Sequence, residues 1–384
     1  MKIHLMIPGT LLLTLMTAAL ATGNQLLLII ALLIALTIII CLAAVLWASA
    51  TMTVSADVAD LNVYRGDQTE LVLQVSHRGW IPIAPVLMEI PSMSGGENRI
   101  IRLRDLPGRT QRLRMPIRAD HVGVYRAGIA SCTVEDLLGI FSRVFHPDST
   151  AFEMVVLPRT YQTEPLKMAP GDPGSEIMAR ATEDLNAPSD IRAYQPGDAM
   201  KKIHWKLSLR KGELIVRKFD EPLMQDVLIL MDCSRPPSWG HPQAEADIRD
   251  AMLETAASLF SDQIKTDHSV RMPLTGSHPA DVDRTIGAAN ALDYLARVDF
   301  TETDRFERVL QMESRRLRKV GCVAAVSARL NSGMVDIMIR IHRAGPNVRF
   351  FLVTFMPDDT GMLQLISRLR QGGVEVAYVV PGNE

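Results

Sequence analysis

Val227-Leu228-Ile229-Leu230-Met231-Asp232-Cys233-Ser234-Arg235-Pro236 opens the carboxy-terminal part of the chain. Its five consecutive apolar residues leave no polar face, so a strand here must be covered on both sides, as in a parallel sheet flanked by helices. The pattern downstream agrees. Strands are expected over 227–231, 270–274, 322–326, 349–355 and 374–380, and helices over 245–260, 284–296, 304–318, 334–343 and 361–370. That alternation predicts an α/β domain over 226–384 with a mainly parallel sheet. Ligands of such sheets gather beyond the carboxyl ends of the strands, where Asp232 and Ser234 stand.

Just upstream lies the densest local pattern: Tyr194-Gln195-Pro196-Gly197-Asp198, then Ile203-His204-Trp205-Lys206, then Arg210-Lys211-Gly212-Glu213-Leu214. Pro196-Gly197 predicts a turn, with Asp198 capping a helix over 199–211. Gly212 ends that helix, and a strand over 214–219 follows. Asp198, His204 and Lys206 are types capable of acid–base work, but their spacing does not make them converge. Local tasks account for the same residues: Tyr194, Ile203 and Trp205 seat the helix, Asp198 caps it, and Arg192 pairs with an acid. Lys201, Lys202, Lys206 and Lys211 give the helix a positive surface that suits an acidic partner.

Residues 51–160 alternate over short runs punctuated by turn residues, which predicts an all-β, sandwich-like domain. Arg102, Arg104, Arg109, Arg112, Arg114 and Arg118 cluster around Pro107-Gly108, on what reads as a strand pair. Such a row could bind acidic headgroups, but solvated edge charges that discourage strand pairing are the preferred reading. Residues 161–225 combine a polar, proline-rich linker, expected to be mobile, with the pattern around Tyr194.

At the amino end, 1–48 carries two apolar runs, 5–21 and 26–46, around the polar break Thr22-Gly23-Asn24-Gln25. The second run would span about 31 Å as a helix, enough for the hydrocarbon core. A transmembrane hairpin is expected, with Trp47 at an interface. A cleaved signal peptide ending at Ala19-Leu20-Ala21 is the rival, weakened by the equally apolar segment that follows. Lys2 and the uncharged turn favour an inside start, which returns the soluble domains to the cytoplasm.

Composition limits the function. Lys and Arg total 41 against 43 Asp and Glu, a net charge of -2, which argues against nucleic acid as a partner. Four widely spaced cysteines fit neither a disulfide framework nor a thiolate metal site. No P-loop, HExxH, GxSxG or GxGxxG pattern occurs.

The segment from Tyr194 to Leu214 resembles the signature of domain-of-unknown-function family 58. Gly123-Val124-Tyr125 and Glu135-Asp136-Leu137-Leu138-Gly139-Ile140-Phe141 resemble that family's upstream strands. The resemblance implies a bacterial inner-membrane protein without established catalysis, often encoded beside a MoxR-type AAA+ ATPase. A transglutaminase-like membrane protein is a second partner of that kind. Asp232-Cys233-Ser234-Arg235-Pro236 in turn resembles the Asp-x-Ser-x-Ser loop of von Willebrand factor A domains, which holds Mg²⁺. Asp232 and Ser234 match, but Pro236 lacks a hydroxyl and Ser327-Ala328-Arg329 offers no acid. A metal is therefore not expected, and Asp232 is read as turning its loop.

The sequence thus predicts a membrane-tethered, non-catalytic interaction module without cofactor, and the family resemblance implies that it partners the ATPase in assembly or maturation of envelope complexes. An enzyme acting on envelope precursors through Asp198, His204 and Lys206 is the main alternative. Binding of anionic lipid or polysaccharide through the arginines is another. For the topology, alkaline phosphatase fused after Glu384 is expected to be inactive outside the membrane, and strong activity there would reverse the orientation.

Overall fold

The computed structural model describes residues 2–3, 6–77, 85–91, 98–103, 110–136, 138–147, 151–169, 190–195, 200, 203–218, 226–237, 242–276, 279–300, 305–317, 319–357 and 359–382. The chain divides into two compact units, Met1–Pro158 and Arg159–Glu384.

The first unit begins with a short strand, β1 (Lys2–Ile3), and two apolar helices, α1 (Met6–Thr22) and α2 (Gln25–Thr51). Gly23 takes the left-handed conformation (φ 65°) that closes their turn, and Asn24 Oδ1 accepts the Leu26 N–H at 2.9 Å. α2 is long and apolar enough to cross a membrane; the apolar stretch of α1, Pro8–Thr22, is shorter. Hydroxyls of Thr17, Thr22 and Thr37 donate to carbonyls four residues earlier, so these polar groups are satisfied within their own helices.

α2 runs directly into β2 (Met52–Val58). The strands β3 (Asn62–Tyr64), β4 (Gln68–His77), β5 (Val86–Ile90), β6 (Arg99–Leu103) and β7 (Gln111–Arg118) follow, then β8 (Gly123–Gly128), β9 (Ser131–Glu135), β10 (Phe141–Phe145) and β11 (Ala151–Leu157). They form three sheets, in the orders β1-β10-β9-β5-β6, β2-β4-β7 and β3-β11-β8. Alternate residues of two sheets, including Leu71, Leu73 and Val75 against Val86, Met88 and Val134, meet in one buried cluster that also takes in Ala48 and Met52. α2 is therefore continuous with the core of the β domain.

Two expectations change here. β6 pairs with β5 and β7 with β4, in different sheets, so the arginine-bearing segments are not a strand pair. Of the six arginines, Arg102 and Arg118 face Glu135 and Asp120 (3.5 and 2.8 Å), while Arg104 and Arg109 lie outside the described residues. The Asp136–Phe141 stretch is explained by a turn: the buried Asp136 accepts the Phe141 N–H (2.7 Å) and the Leu138 N–H (3.2 Å), with Gly139 at φ 70°.

In the second unit, 159–169, expected as the start of a mobile linker, is an extended strap pinned by side chains. Tyr161 N–H donates to Ser258 Oγ, Thr163 N–H and Oγ1 donate to Asp262, and Ala169 N–H donates to the Gly321 carbonyl, all at 2.8–2.9 Å. The rest of that linker, 170–189, lies outside the described residues. A hairpin of β12 (Asp190–Ala193) and β13 (Ile215–Lys218) then encloses α3 (Trp205–Lys211).

The α/β part comprises β14 (Asp226–Met231), α4 (Pro242–Lys265), β15 (Ser269–Leu274), β16 (Ala280–Asp283), α5 (Ala288–Ala296), α6 (Phe306–Glu313) and β17 (Val320–Ser327), followed by α7 (Ser332–Arg343), β18 (Asn347–Val353), α8 (Thr360–Gln371) and β19 (Glu375–Val379). The sheet order is β16-β15-β14-β17-β18-β19, parallel throughout except at the β15/β16 edge. All eight residues of β17 are buried. Two helices are shorter than expected. Gly287 (φ 80°) separates a 3-10 turn over Arg284–Ile286 from α5, and α6 stops at Glu313 instead of reaching 318.

All four cysteines are free and buried, and burial pushes the Cys132 and Cys322 thiols up to about 12, so neither is poised to react.

Glu313 is 6 % exposed and accepts from Arg271 Nη1 and Nη2 at 2.7 and 3.3 Å, while Arg271 Nε faces Asp281 at 2.9 Å. This cluster ties α6 to the edge of the sheet. Glu313→Ala is expected to lower unfolding free energy by about 2 kcal/mol, the order of a charged hydrogen bond. Urea unfolding of the chain in detergent measures it, and an unchanged midpoint would mean the pair contributes nothing.

Candidate functional site

The hairpin around α3 shows how the signature residues are used. Tyr194 N–H donates to the Leu214 carbonyl and His204 N–H to the Ile215 carbonyl, both at 2.8 Å, which staples the helix to β13. Ile203 is buried and bridges to Val216. Ser208 is buried as well, its Oγ accepting the Ile215 N–H at 2.9 Å. His204, not Asp198, caps the helix: its Nδ1 accepts the Leu207 N–H at 3.3 Å. The helix accordingly starts at Trp205 instead of 199. Gly212 closes it in the left-handed conformation (φ 73°), as the sequence predicts. Pro196, Gly197 and Asp198 lie outside the described residues.

Trp205 does not seat the helix. It is 57 % exposed, and Leu209, one turn on, is 84 % exposed. At four-residue spacing the two share a face, and Lys206 and Arg210, both exposed, form the adjacent row. Lys211 and Glu213 are exposed too, as are Met200 and Leu214, which flank the helix in the chain. The sequence reading missed Leu209, although its spacing from Trp205 marks it.

The second place is the carboxyl end of the sheet between β14 and β17, where the strand order reverses direction. Asp232 is 3 % exposed. Its Oδ1 accepts Ser234 N–H (3.0 Å) and Oγ–H (2.5 Å), and its Oδ2 accepts Ser327 Oγ–H (2.6 Å). Ser327 Oγ also accepts the Arg329 N–H at 3.0 Å. A cleft of about 500 Å³ opens beside them, lined further by Arg235, Arg305, Glu307, Arg329 and Asn331. Arg329 Nη2 donates to the Arg235 carbonyl, and Arg235 is gripped by Glu245 (Nε–Oε1 2.7 Å). Arg305 and Glu307 carry no sequence signal; only the tertiary fold places the start of α6 beside Asp232.

These groups do not fit a divalent cation. Mg²⁺ needs near-octahedral oxygen ligation, but both Asp232 oxygens already accept hydrogens. The buried Pro236 offers no hydroxyl, and three guanidinium groups line the cleft. Thr275 keeps a buried Oγ1 without a hydrogen-bond partner at the end of β15, but it is not among the cleft's lining residues.

Among solved structures, a similarity is found to a cohesin module from a Clostridium perfringens ATCC13124 family 33 glycoside hydrolase. It is 10 % identical, covering 28 % of this chain and 96 % of that one, with a TM-score of 0.22. A CARDB domain from Pyrococcus furiosus is 18 % identical, covering 28 % of this chain and 87 % of that one, with a TM-score of 0.20. Scores this low support no functional transfer. The uncharacterized protein YeaD of Bacillus subtilis (strain 168) is 29 % identical over 100 residues, a quarter (25 %) of each chain. The family model described as "Protein of unknown function DUF58" matches residues 190–327, a stretch that runs from β12 through α3 to Ser327 and holds both places just described.

Proposed function

We propose that the chain is a membrane-anchored, non-catalytic interaction module that docks a partner on the face of α3. The exposure of Trp205 (57 %) and Leu209 (84 %) beside Lys206 and Arg210 carries this reading. An indole and an isobutyl group held in water at two adjacent turns are anchors of the kind that dominate interfaces. The basic row favours an acidic rim on the partner. By the resemblance of the signature segment, that partner is a MoxR-type AAA+ ATPase, or a transglutaminase-like membrane protein, in the assembly or maturation of envelope complexes.

The anchor is read as two spans with the soluble parts in the cytoplasm of a bacterium. Pairing of β1 with β10 supports a hairpin, because α1 then starts beside the strand whose Phe141 packs with Cys41 and Val45 of α2. The commitment of His204 Nδ1 to a helix cap supports the absence of catalysis there. The position of Asp232 and Ser234 at the strand-order reversal supports a degenerate von Willebrand A-like domain, one that holds no cation.

Two experiments test these readings. Trp205→Ala with Leu209→Ala is expected to weaken binding of a purified MoxR-type ATPase at least tenfold, with the thermal midpoint unchanged because both side chains are exposed. Undiminished binding would remove α3 as the docking face. Asp232→Ala leaves three donors without their acceptor and is expected to cost on the order of 3 kcal/mol, with Asp232→Asn costing less. Neither loss should depend on Mg²⁺. A stoichiometric, Asp232-dependent heat on titrating Mg²⁺ or Mn²⁺ would overturn the cation-free reading.

A further inference from the structure

We infer that the cleft between the ends of β14 and β17 binds an oxyanion, a carboxylate or a phosphate, through Arg305 and Arg329. Three of the charges in and beside the cleft are already answered. Asp232 is fully engaged by the two serine hydroxyls and the Ser234 N–H. Glu307 lies against the first turn of α7, close enough that a Cβ on Gly333 would stand 3.0 Å from its Oε1. That is where a helix dipole favours a carboxylate. Arg235 is held by both oxygens of Glu245 (2.7 and 3.2 Å).

Two cations remain. Among the described residues, neither Arg305 nor Arg329 makes an ion pair. Arg329 reaches across from the end of β17 to the Arg235 carbonyl, and that single contact orients its guanidinium while leaving most of its donors unused. Arg305 lines the same cleft from its place directly before α6, and its side chain makes no hydrogen bond among the described residues. Two planar forks lining one cleft of about 500 Å³ are of the chemistry by which guanidinium groups take a carboxylate or phosphate.

The same two charges repel a divalent ion, so the cleft's preference is for the opposite sign. This inference stands apart from the docking reading of α3, since it involves none of the same residues.

The test is thermal unfolding of the full chain in detergent micelles with inorganic phosphate or N-acetylglutamate, each against sodium chloride of equal ionic strength. One or both anions should raise the midpoint in a saturable way. Arg305→Ala with Arg329→Ala should weaken the apparent affinity at least tenfold, while Arg343→Ala, at the far end of α7, should leave it unchanged. A response to phosphate alone marks a phosphate group as the natural ligand, and a response to N-acetylglutamate marks an acidic side chain. If the double variant is already unfolded without anion, Arg305→Ala alone gives the same comparison. No anion-specific rise, a rise that persists in the variants, or a rise with Mg²⁺ in place of the anions would overturn the proposal.

Discussion

A carboxylate buried away from water must be met by donors or by a cation. At Asp232 the chain supplies donors: one amide and two hydroxyls, drawn from its own loop and from the end of β17, 95 residues away. This closes the carboxyl ends of the two central strands against each other. The chain leaving β17 is thereby aimed so that Arg329 crosses to the Arg235 carbonyl. Replace the donors by a metal ion and the loop geometry changes, because a cation would compete for the same lone pairs. The charge of the cleft follows from that one choice.

Legibility in the sequence followed burial. The central strands were readable because both faces are covered, which writes an unbroken apolar run such as Val227–Met231. β16 was not, since its four residues include Asp281 and Asp283 and it sits at an edge, antiparallel to β15. α6 ended early for a similar reason: its charge-rich continuation at 314–318 contains no apolar repeat that packing would reward. The arginine row misled through local proximity. A turn signal between two strands suggests a hairpin, but pairing is set by which faces must be buried, and β6 and β7 serve opposite sheets.

The first unit shows a different coupling. Ala48 and Met52, at the end of α2 and the start of β2, sit in the same cluster as Leu71 and Met88. Arg143 Nη1 donates to Ser49 Oγ at 2.9 Å, a second tie across the junction. An anchor joined by a flexible tether would leave its domain free to tumble. A helix whose last turn belongs to the β core holds that domain in a fixed attitude to the helix axis. A bilayer around α2 would then set the orientation of the β sheets as well as their address.

The signature hairpin displays the sharpest conflict between local and global demands. Two turns of helix can bury only a narrow stripe, and here Ser208, with Ile203 just before the helix, is buried against β13 while Leu207 is half-buried. Positions 205, 206, 209 and 210 must therefore point outward. Lys206 and Arg210 are ordinary residues for that duty, whereas Trp205 and Leu209 are not: each leaves apolar area in water that a polar residue would not. Helix propensity does not require them, because lysine or glutamine would serve as well. The fold of this unit gains nothing from an outward indole, and covering it is the task the proposed docking partner would perform. The short helix is thus an instance in which a residue's misfit to its own fold carries more functional information than its fit.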